Sequence, residues 1–476
     1  MTIHNQLLSD TMTLDLSALI KKYGAPHFPT KRNPVGTLNE VFWSAFFATL
    51  NEILYENREG EFYGYGGKIY DPTSEHLLRQ QLTNDILRAS QEWLGYLALS
   101  QLCNARHLGG VLIHLKGMTQ MEGVFSRPRE YIHVANGVIE LNGASPKLVG
   151  FDPKFYSRNL IPIDYKPGAK CPKFIEQLLK PLPADDVPVL QKLFGMFVSG
   201  INFLQKILIL QGAPGSGKSQ LAAVARLLIG PVNCTELRTA HLGDRFELAR
   251  YMSKILLIGA DVAGDFLNQP GAHNLKKMTG GDTIGLERKY SNHECSILGV
   301  FCVLITCNSR MTVILDGDRG AWLRRLIILA YEQKTHTKNI PHFAQRLICD
   351  EGPGILNWAL EGLELANQDV ASIGEIGLTA EQRTRVEALL DESEGVRVFV
   401  VNHIKADPLG DMTTEEILQH YAVYCGAPER GWYFNQRVVE RQLPDIMMQL
   451  FRTSPSKHIL RDGKNARGYR GITFVP

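Results

Sequence analysis

The sequence has no apolar run near the roughly 20 residues that a membrane-spanning helix needs, so no membrane partner is expected. The start, Met1-Thr2-Ile3-His4-Asn5-Gln6, lacks a basic stretch followed by an apolar core, so no secretion signal is legible and a cytoplasmic location is expected. The eight cysteines (Cys103, Cys171, Cys234, Cys295, Cys302, Cys307, Cys349 and Cys425) include no C-x-x-C pair and no histidine partners at zinc spacing. They are expected to be free thiols in a reducing compartment, with no structural zinc. Charge of one sign is also missing. With 51 basic and 49 acidic residues the net charge is +2, so a nucleic-acid partner would have to meet a local basic patch. What remains is an ordinary globular composition, 44% hydrophobic and 21% charged, in a chain of 476 residues with room for about two to four domains.

The chain is organised around Gln211-Gly212-Ala213-Pro214-Gly215-Ser216-Gly217-Lys218-Ser219, which fits the phosphate-loop pattern G-x-x-x-x-G-K-[ST]. Lys206-Ile207-Leu208-Ile209-Leu210 before it reads as a buried strand. Gln220 to Leu228 after it reads as a helix stopped by Gly230-Pro231. Strand, glycine-rich loop and helix is the context the motif requires. The glycines let successive N–H groups turn toward a phosphate, and the helix N-terminus adds partial positive charge. Gly212, Ala213, Pro214, Gly215, Ser216, Gly217, Lys218 and Ser219 are therefore the expected binding set for ATP. Lys218 would reach the β- and γ-phosphates, and Ser219 would place its hydroxyl on Mg²⁺.

Downstream, Lys254-Ile255-Leu256-Leu257-Ile258-Gly259-Ala260-Asp261 is an apolar strand ending in a carboxylate, the Walker B arrangement. Asp261 is expected on Mg²⁺. Many such ATPases carry a second acid there as general base; this chain offers only Asp265 nearby, which leaves the base open. Phe301 to Asn308 is another buried strand, whose terminal Asn308 would sense the γ-phosphate. Asp318-Arg319-Gly320-Ala321-Trp322-Leu323-Arg324-Arg325 follows with three arginines. An arginine supplied across a subunit boundary accelerates phosphoryl transfer by roughly 10³–10⁵.

The order of these segments, together with Leu275-Lys276-Lys277-Met278-Thr279-Gly280-Gly281-Asp282, resembles the superfamily 3 helicases. The closer resemblance is to the helicase part of the poxvirus, phage and plasmid primase-helicases. It extends back through Asn136-Gly137-Val138 and Cys171-Pro172-Lys173-Phe174 and forward to Gly354–Leu363, covering most of residues 60–370. The resemblance implies an AAA+ α/β core and a homo-oligomeric ring, usually a hexamer. ATP would lie between neighbours, with Arg324 or Arg325 as the finger; the residues themselves do not decide between these and Arg319. It also implies 3′ to 5′ movement on single-stranded or forked DNA, and a channel hairpin around Lys289. Arg288-Lys289-Tyr290 combines charge with an aromatic ring, as single-strand grooves do. Arg288, Lys289 and His293, the last near a turn tip, are the expected DNA contacts of this hairpin. Family members often carry a primase ahead of the helicase. Here about 40 to 60 residues precede the matched region, too few for an independent domain, so a separate primase or other replication proteins are the expected partners.

The fold class expected is therefore α/β: an AAA+ P-loop core with an N-terminal α+β domain and a C-terminal winged-helix domain. Residues 1–165 form an N-terminal arm and α+β, partly helical collar domain. Within it, the aromatic and glycine alternation of Glu61–Tyr70 reads as a hairpin, and as small hydrophobic core rather than a base-stacking surface. Val134–Leu141 reads as two strands about an Asn-Gly turn. Residues 166–370 are the helicase domain, and the polar, acidic and helix-prone stretch 371–395 is the linker. In 396–476, Thr413-Thr414-Glu415-Glu416 opens a helix with a capping signature, and 457–474 reads as two strands about a basic glycine-rich tip. Arg461, Lys464, Arg467 and Arg470 are its expected phosphate contacts on duplex DNA.

The expected activity is that of an ATP hydrolase and DNA helicase serving replication of a mobile element such as a phage, plasmid or genomic island. One alternative is an initiator that remodels an origin without processive unwinding. Another is a DNA-binding scaffold that uses ATP only to assemble, which the atypical Gly259-Ala260-Asp261 end would suit.

Overall fold

Parallel strands buried on both faces need apolar side chains in succession, and Ile207-Leu208-Ile209-Leu210 supplies them, each fully buried. This run lies in the computed structural model within a five-stranded parallel sheet, flanked by a strand on each side. The structure describes all residues except 1–15, 32, 34, 95–97, 127–129, 143–144, 270, 288–294, 310, 314–317, 332–339, 428–431, 433 and 476; the side chains of 126, 392 and 393 are also outside the description. The chain divides into two units, residues 1–165 with 283–298, and residues 166–282 with 299–476. The fold is mixed α/β. Among the described residues no helix is long and apolar enough to cross a membrane, and all eight cysteines are free thiols.

The first unit joins helices to small sheets. Asn39 caps the helix Glu40–Leu50 by accepting from the Phe42 N–H, and Asn104 does the same for Ala105–Thr119. Phe42, Trp43, Phe47, Leu82, Ile86 and Val111 form its apolar centre. The hairpin expected at Glu61–Tyr70 is a pair of antiparallel strands, Glu61–Tyr65 and Tyr70–Thr73. Phe62, Tyr63 and Tyr70 are buried in it, so these rings serve as core. Tyr131–Val134 pairs with Gly137–Glu140 about the Asn-Gly turn. The returning segment contributes Thr283–Leu286 paired with Cys295–Leu298, and the Ser296 N–H donates to the Arg58 carbonyl at 3.1 Å.

In the second unit the sheet strands are β1 (Ile207–Gly212), β2 (Cys234–Glu236), β3 (Leu256–Gly259), β4 (Cys302–Cys307) and β5 (Leu326–Tyr331), in the order β2-β3-β4-β1-β5. Every pairing is parallel, and β1 sits between β4 and β5. Helix α1 (Asp186–Ser199) leads into β1, and α2 (Lys218–Ile229) follows the loop after it. Both pack against the long helix α3 (Phe343–Ile373). Glycines permit the closest approach. A Cβ on Gly195 of α1 would lie 2.2 Å from the Leu363 nitrogen, and one on Gly362 would lie 2.0 Å from the Gln191 carbonyl oxygen. Glu351 of α3 accepts the N–H groups of Lys173 and Phe174 at 3.0 and 2.9 Å, fixing the helical start expected at Cys171-Pro172.

The stretch 371–395, expected as a linker, is mostly packed helix. Helix α4 (Ala380–His403) opens with a capping box between Thr379 and Gln382. It buries Val386, Leu389 and Leu390, and Arg385 pairs with the fully buried Asp186 at 2.6 Å. Apolar residues at helical spacing hold its inside, joined there by the buried Gln382. Beyond it come β6 (Ile404–Thr413), α5 (Thr414–Cys425), α6 (Gln436–Phe451), β7 (Ser456–Arg461) and β8 (Lys464–Phe474). The three strands form an antiparallel sheet in the order β6-β8-β7. A capping box joins Thr413 and Glu416, and the β7–β8 turn places Asp462 and Gly463 in left-handed backbone.

Gly195→Ala is expected to force α1 and α3 apart and to destabilise the second unit by about 1–3 kcal/mol, read as a lower denaturation midpoint at unchanged slope.

Candidate nucleotide site

The loop geometry begins where β1 passes β5. A Cβ on Gly212 would lie 2.1 Å from the Tyr331 carbonyl oxygen, so only glycine fits this approach. The backbone then turns through Gly215 (φ +79°) and Gly217 (φ +103°), both left-handed, and α2 starts at Lys218. Lys218 is 3% exposed. Its ammonium donates to the Gly212 carbonyl at 2.7 Å, the Ala213 carbonyl at 2.9 Å and the Ser216 hydroxyl at 3.1 Å. Burial pushes its pKa down, and the charge of Asp261 opposes that shift. The ammonium is thus buried on neutral acceptors, an environment that an anion would improve. Ser219 is exposed on the first turn of α2, and Ser216 is buried.

Asp261 lies just past β3 in left-handed backbone (φ +47°). Its N–H donates to the Thr306 hydroxyl at 2.9 Å, and its carboxylate accepts from the Asn308 amide at 3.0 Å. The loop, Lys218, Asp261 and Asn308 therefore converge at the carboxyl edge of the sheet, where open parallel sheets present their binding crevices. Thr306 was not singled out in the sequence; a hydroxyl two residues before Asn308 in an apolar strand is the signal for it. Asp265 is exposed and accepts from Gln269 at 3.5 Å. Among the described residues no three His, Cys, Asp or Glu side chains gather as a metal cluster.

The three arginines occupy the opposite edge. The Ile207 N–H, at the start of β1, donates to the Arg325 carbonyl at 2.7 Å. The six residues of β1 separate this edge from the loop, on the order of 20 Å at about 3.3 Å per residue. The three differ in surroundings. Arg319 pairs with Asp391 and Glu394 of α4. Arg325 is 4% exposed, donates to the Ala321 carbonyl at 3.1 Å and lies beside Gly280. Among the described residues its buried Nε has no partner, and burial lowers its pKa. Arg324 alone of the three is exposed. Lys206, also not singled out in the sequence, donates its buried ammonium to the Arg324 carbonyl at 2.5 Å.

Arg288, Lys289 and His293 lie outside the described residues. In the C-terminal module, Lys464, Arg467 and Arg470 are exposed, and Arg470 donates to the His458 carbonyl at 2.8 Å. Arg461 differs from expectation. Its guanidinium is held by Asp411 at 2.7 Å and by Glu416 at 2.8 Å, so the charge is spent inside the module. Arg437 and Arg441, one turn apart on α6, are exposed and were missed; their i, i+4 spacing after Asn435 was the available signal.

Residues 44–181 match the family described as D5 N terminal like, and residues 210–325 match a family of unknown function, DUF5906. No curated protein matches the chain. Solved structures of the C-terminal region of NrS-1 are similar at a TM-score of 0.45. One is 15% identical and covers 90% of this chain and 98% of its own; another is 13% identical and covers 91% and 99%.

The Arg461 cluster carries a pH signature. Hydrogen bonds from Arg461 hold Glu416 below its ordinary pKa. A depressed carboxylate stabilises the fold above its unfolded pKa and loses that contribution as pH falls through the folded value. The C-terminal module should therefore weaken below about pH 4.5. Arg461→Ala should lower its stability at pH 7 by about 1 kcal/mol and flatten the acid limb of a pH–stability profile.

Proposed function

We propose that the chain is an ATP-driven DNA helicase of the superfamily 3 type, acting as a ring in replication of a phage-like or other mobile element. The observation that carries this reading is the division of the sheet. Lys218, Asp261 and Asn308 converge at one edge, and the exposed Arg324 lies at the other. One chain then offers half of a hydrolysis site at each edge, which suits an assembly in which neighbours complete each other's sites.

In this reading the N–H groups of Gly215 to Lys218 and the α2 N-terminus hold the β- and γ-phosphates of ATP. Lys218 exchanges its carbonyl partners for phosphate oxygens, a stronger charge-assisted bond. Ser219 and Asp261 hold Mg²⁺, which supplies charge neutralisation on those oxygens; one carboxylate and a hydroxyl suffice, since Mg²⁺ takes most of its ligands from phosphate and water. Asn308 keeps the Asp261 carboxylate oriented and contacts the γ-phosphate. Arg324 of a neighbouring subunit meets the charge that develops during phosphoryl transfer. An AAA+-type core, a DNA-contacting hairpin at Arg288, Lys289 and His293, and a C-terminal winged helix belong to the same reading. Exposed Lys464, Arg467 and Arg470, with Arg437 and Arg441 added, are the cations of the winged helix that face DNA phosphates. Arg461 is not among them.

The alternative is an initiator or an ATP-assembled scaffold. Asp265, the acid next after Asp261 in sequence, is exposed and bonded to Gln269 rather than held toward Asp261, which favours slow hydrolysis. Forked DNA with a 3′ or a 5′ single-stranded tail separates the readings. Unwinding from the 3′ tail only, with ATPase reduced more than about hundredfold in Lys218→Ala, is expected. Hydrolysis without unwinding of either fork supports the initiator, and no hydrolysis even with single-stranded DNA supports the scaffold.

A further inference from the structure

Lys206 is buried at the amino edge of the sheet, away from the phosphate loop. It is 4% exposed. Its backbone is fixed on both sides by one side chain: Asn202 accepts from the Lys206 N–H at 2.9 Å and donates to its carbonyl at 2.8 Å. The same Asn202 amide donates to the Phe301 carbonyl at 2.8 Å, which ties the entry of β1 to the entry of β4. Gln205, in left-handed backbone (φ +54°), donates to the Gly280 carbonyl at 3.0 Å. From this clamped position the Lys206 ammonium donates to the Arg324 carbonyl at 2.5 Å.

The bond falls at a telling place. Arg319–Leu323 is a short helix, and Arg324 is its C-cap. Carbonyls at a helix C-terminus lack intrahelical partners and carry partial negative charge, so a cation there satisfies both. A bonded carbonyl also fixes the peptide plane that follows Arg324, and with it the direction in which the Arg324 side chain leaves the backbone. The next residue, Arg325, is pinned separately by its bond to Ala321. The exposed arginine thus stands on a turn held from two sides.

We infer that Lys206 is a positioning residue that aims Arg324 at the nucleotide bound by a neighbouring subunit. The inference rests on the proposed trans-acting role of Arg324 and adds how one chain prepares it. Burying an ammonium is costly, and a buried lysine bonded to the carbonyl of the exposed member of this arginine trio has this geometric use. Because β1 begins directly after Lys206 and ends at the phosphate loop, the strand that receives nucleotide at one end sets the arginine for the neighbour at the other.

The test uses the full chain in mixed oligomers. Lys206→Met removes the ammonium and keeps the length of the side chain. It should lower kcat for ATP by at least about tenfold while KM stays within about twofold, because its own phosphate loop is intact. Adding inactive Lys218→Ala chains, which carry an intact Lys206 and Arg324, should then raise the rate. At equal mixing it should approach about half of the wild-type rate per intact loop, since random neighbours are competent about half the time. A defect confined to the variant's own fold would show no such gain. Arg324→Ala mixed with Lys218→Ala is the control. Rescue of Arg324→Ala without rescue of Lys206→Met overturns the role of Lys206 alone, as does an unchanged kcat. Rescue of neither overturns the trans-acting arginine, and this inference with it. Should Lys206→Met fail to fold by thermal unfolding, Lys206→Gln enters the same mixing, with a smaller loss and the same rescue expected.

Discussion

The parallel pairing of β1 between β4 and β5 is the constraint on which the rest depends. Ile207 pairs with Val303 on one side and Leu326 on the other, and the register continues along the strand. A parallel register gives the three strands a common start and a common end. The residues that follow β1 and β4, and Asp261 after β3, are therefore delivered to one edge, and the arginines that precede β5 to the other. Full burial of Ile207 to Leu210 makes a slip of this register expensive. The distance between the two edges is the length of a strand, so no side chain of one subunit spans it.

That separation gives the local chemistry its meaning. Lys218 is a buried cation held by two carbonyls and a hydroxyl, with no carboxylate bonded to it among the described residues, and is ready for an anion. Asp261 is held by Thr306 and Asn308, both contributed by or just after the adjacent β4. At the far edge, burial removes Arg325 and ion pairs occupy Arg319, which leaves Arg324 to face outward. Three arginines that look equivalent in sequence thus have three different physical situations.

The parts of this arrangement that were legible in the sequence are those with local causes. Apolar runs ending in Gly212, Asp261 and Asn308 announce buried strands and the polar groups at their ends. The capping signature at Thr413 to Glu416 announces a helix, because each partner lies within one turn of the other. The parts that were not legible depend on residues distant in sequence. Arg461 reads as one more cation on a basic hairpin until Asp411 and Glu416 are brought beside it by the β6-β8-β7 sheet. The acidic, helix-prone stretch 371–395 reads as a linker until Val386, Leu389 and Leu390 find a surface to cover. Lys206 looks like the polar start of a strand, and only the fold brings the Arg324 carbonyl to it.

The central claim is that one chain cannot complete its own hydrolysis site. The most direct measurement is ATP turnover per chain as a function of protein concentration, followed with the oligomeric state by sedimentation in the presence of ATP. The account predicts turnover per chain that vanishes as the protein dissociates into single chains and rises to a plateau as it assembles. Constant turnover per chain, sustained where sedimentation finds only monomer, would contradict it.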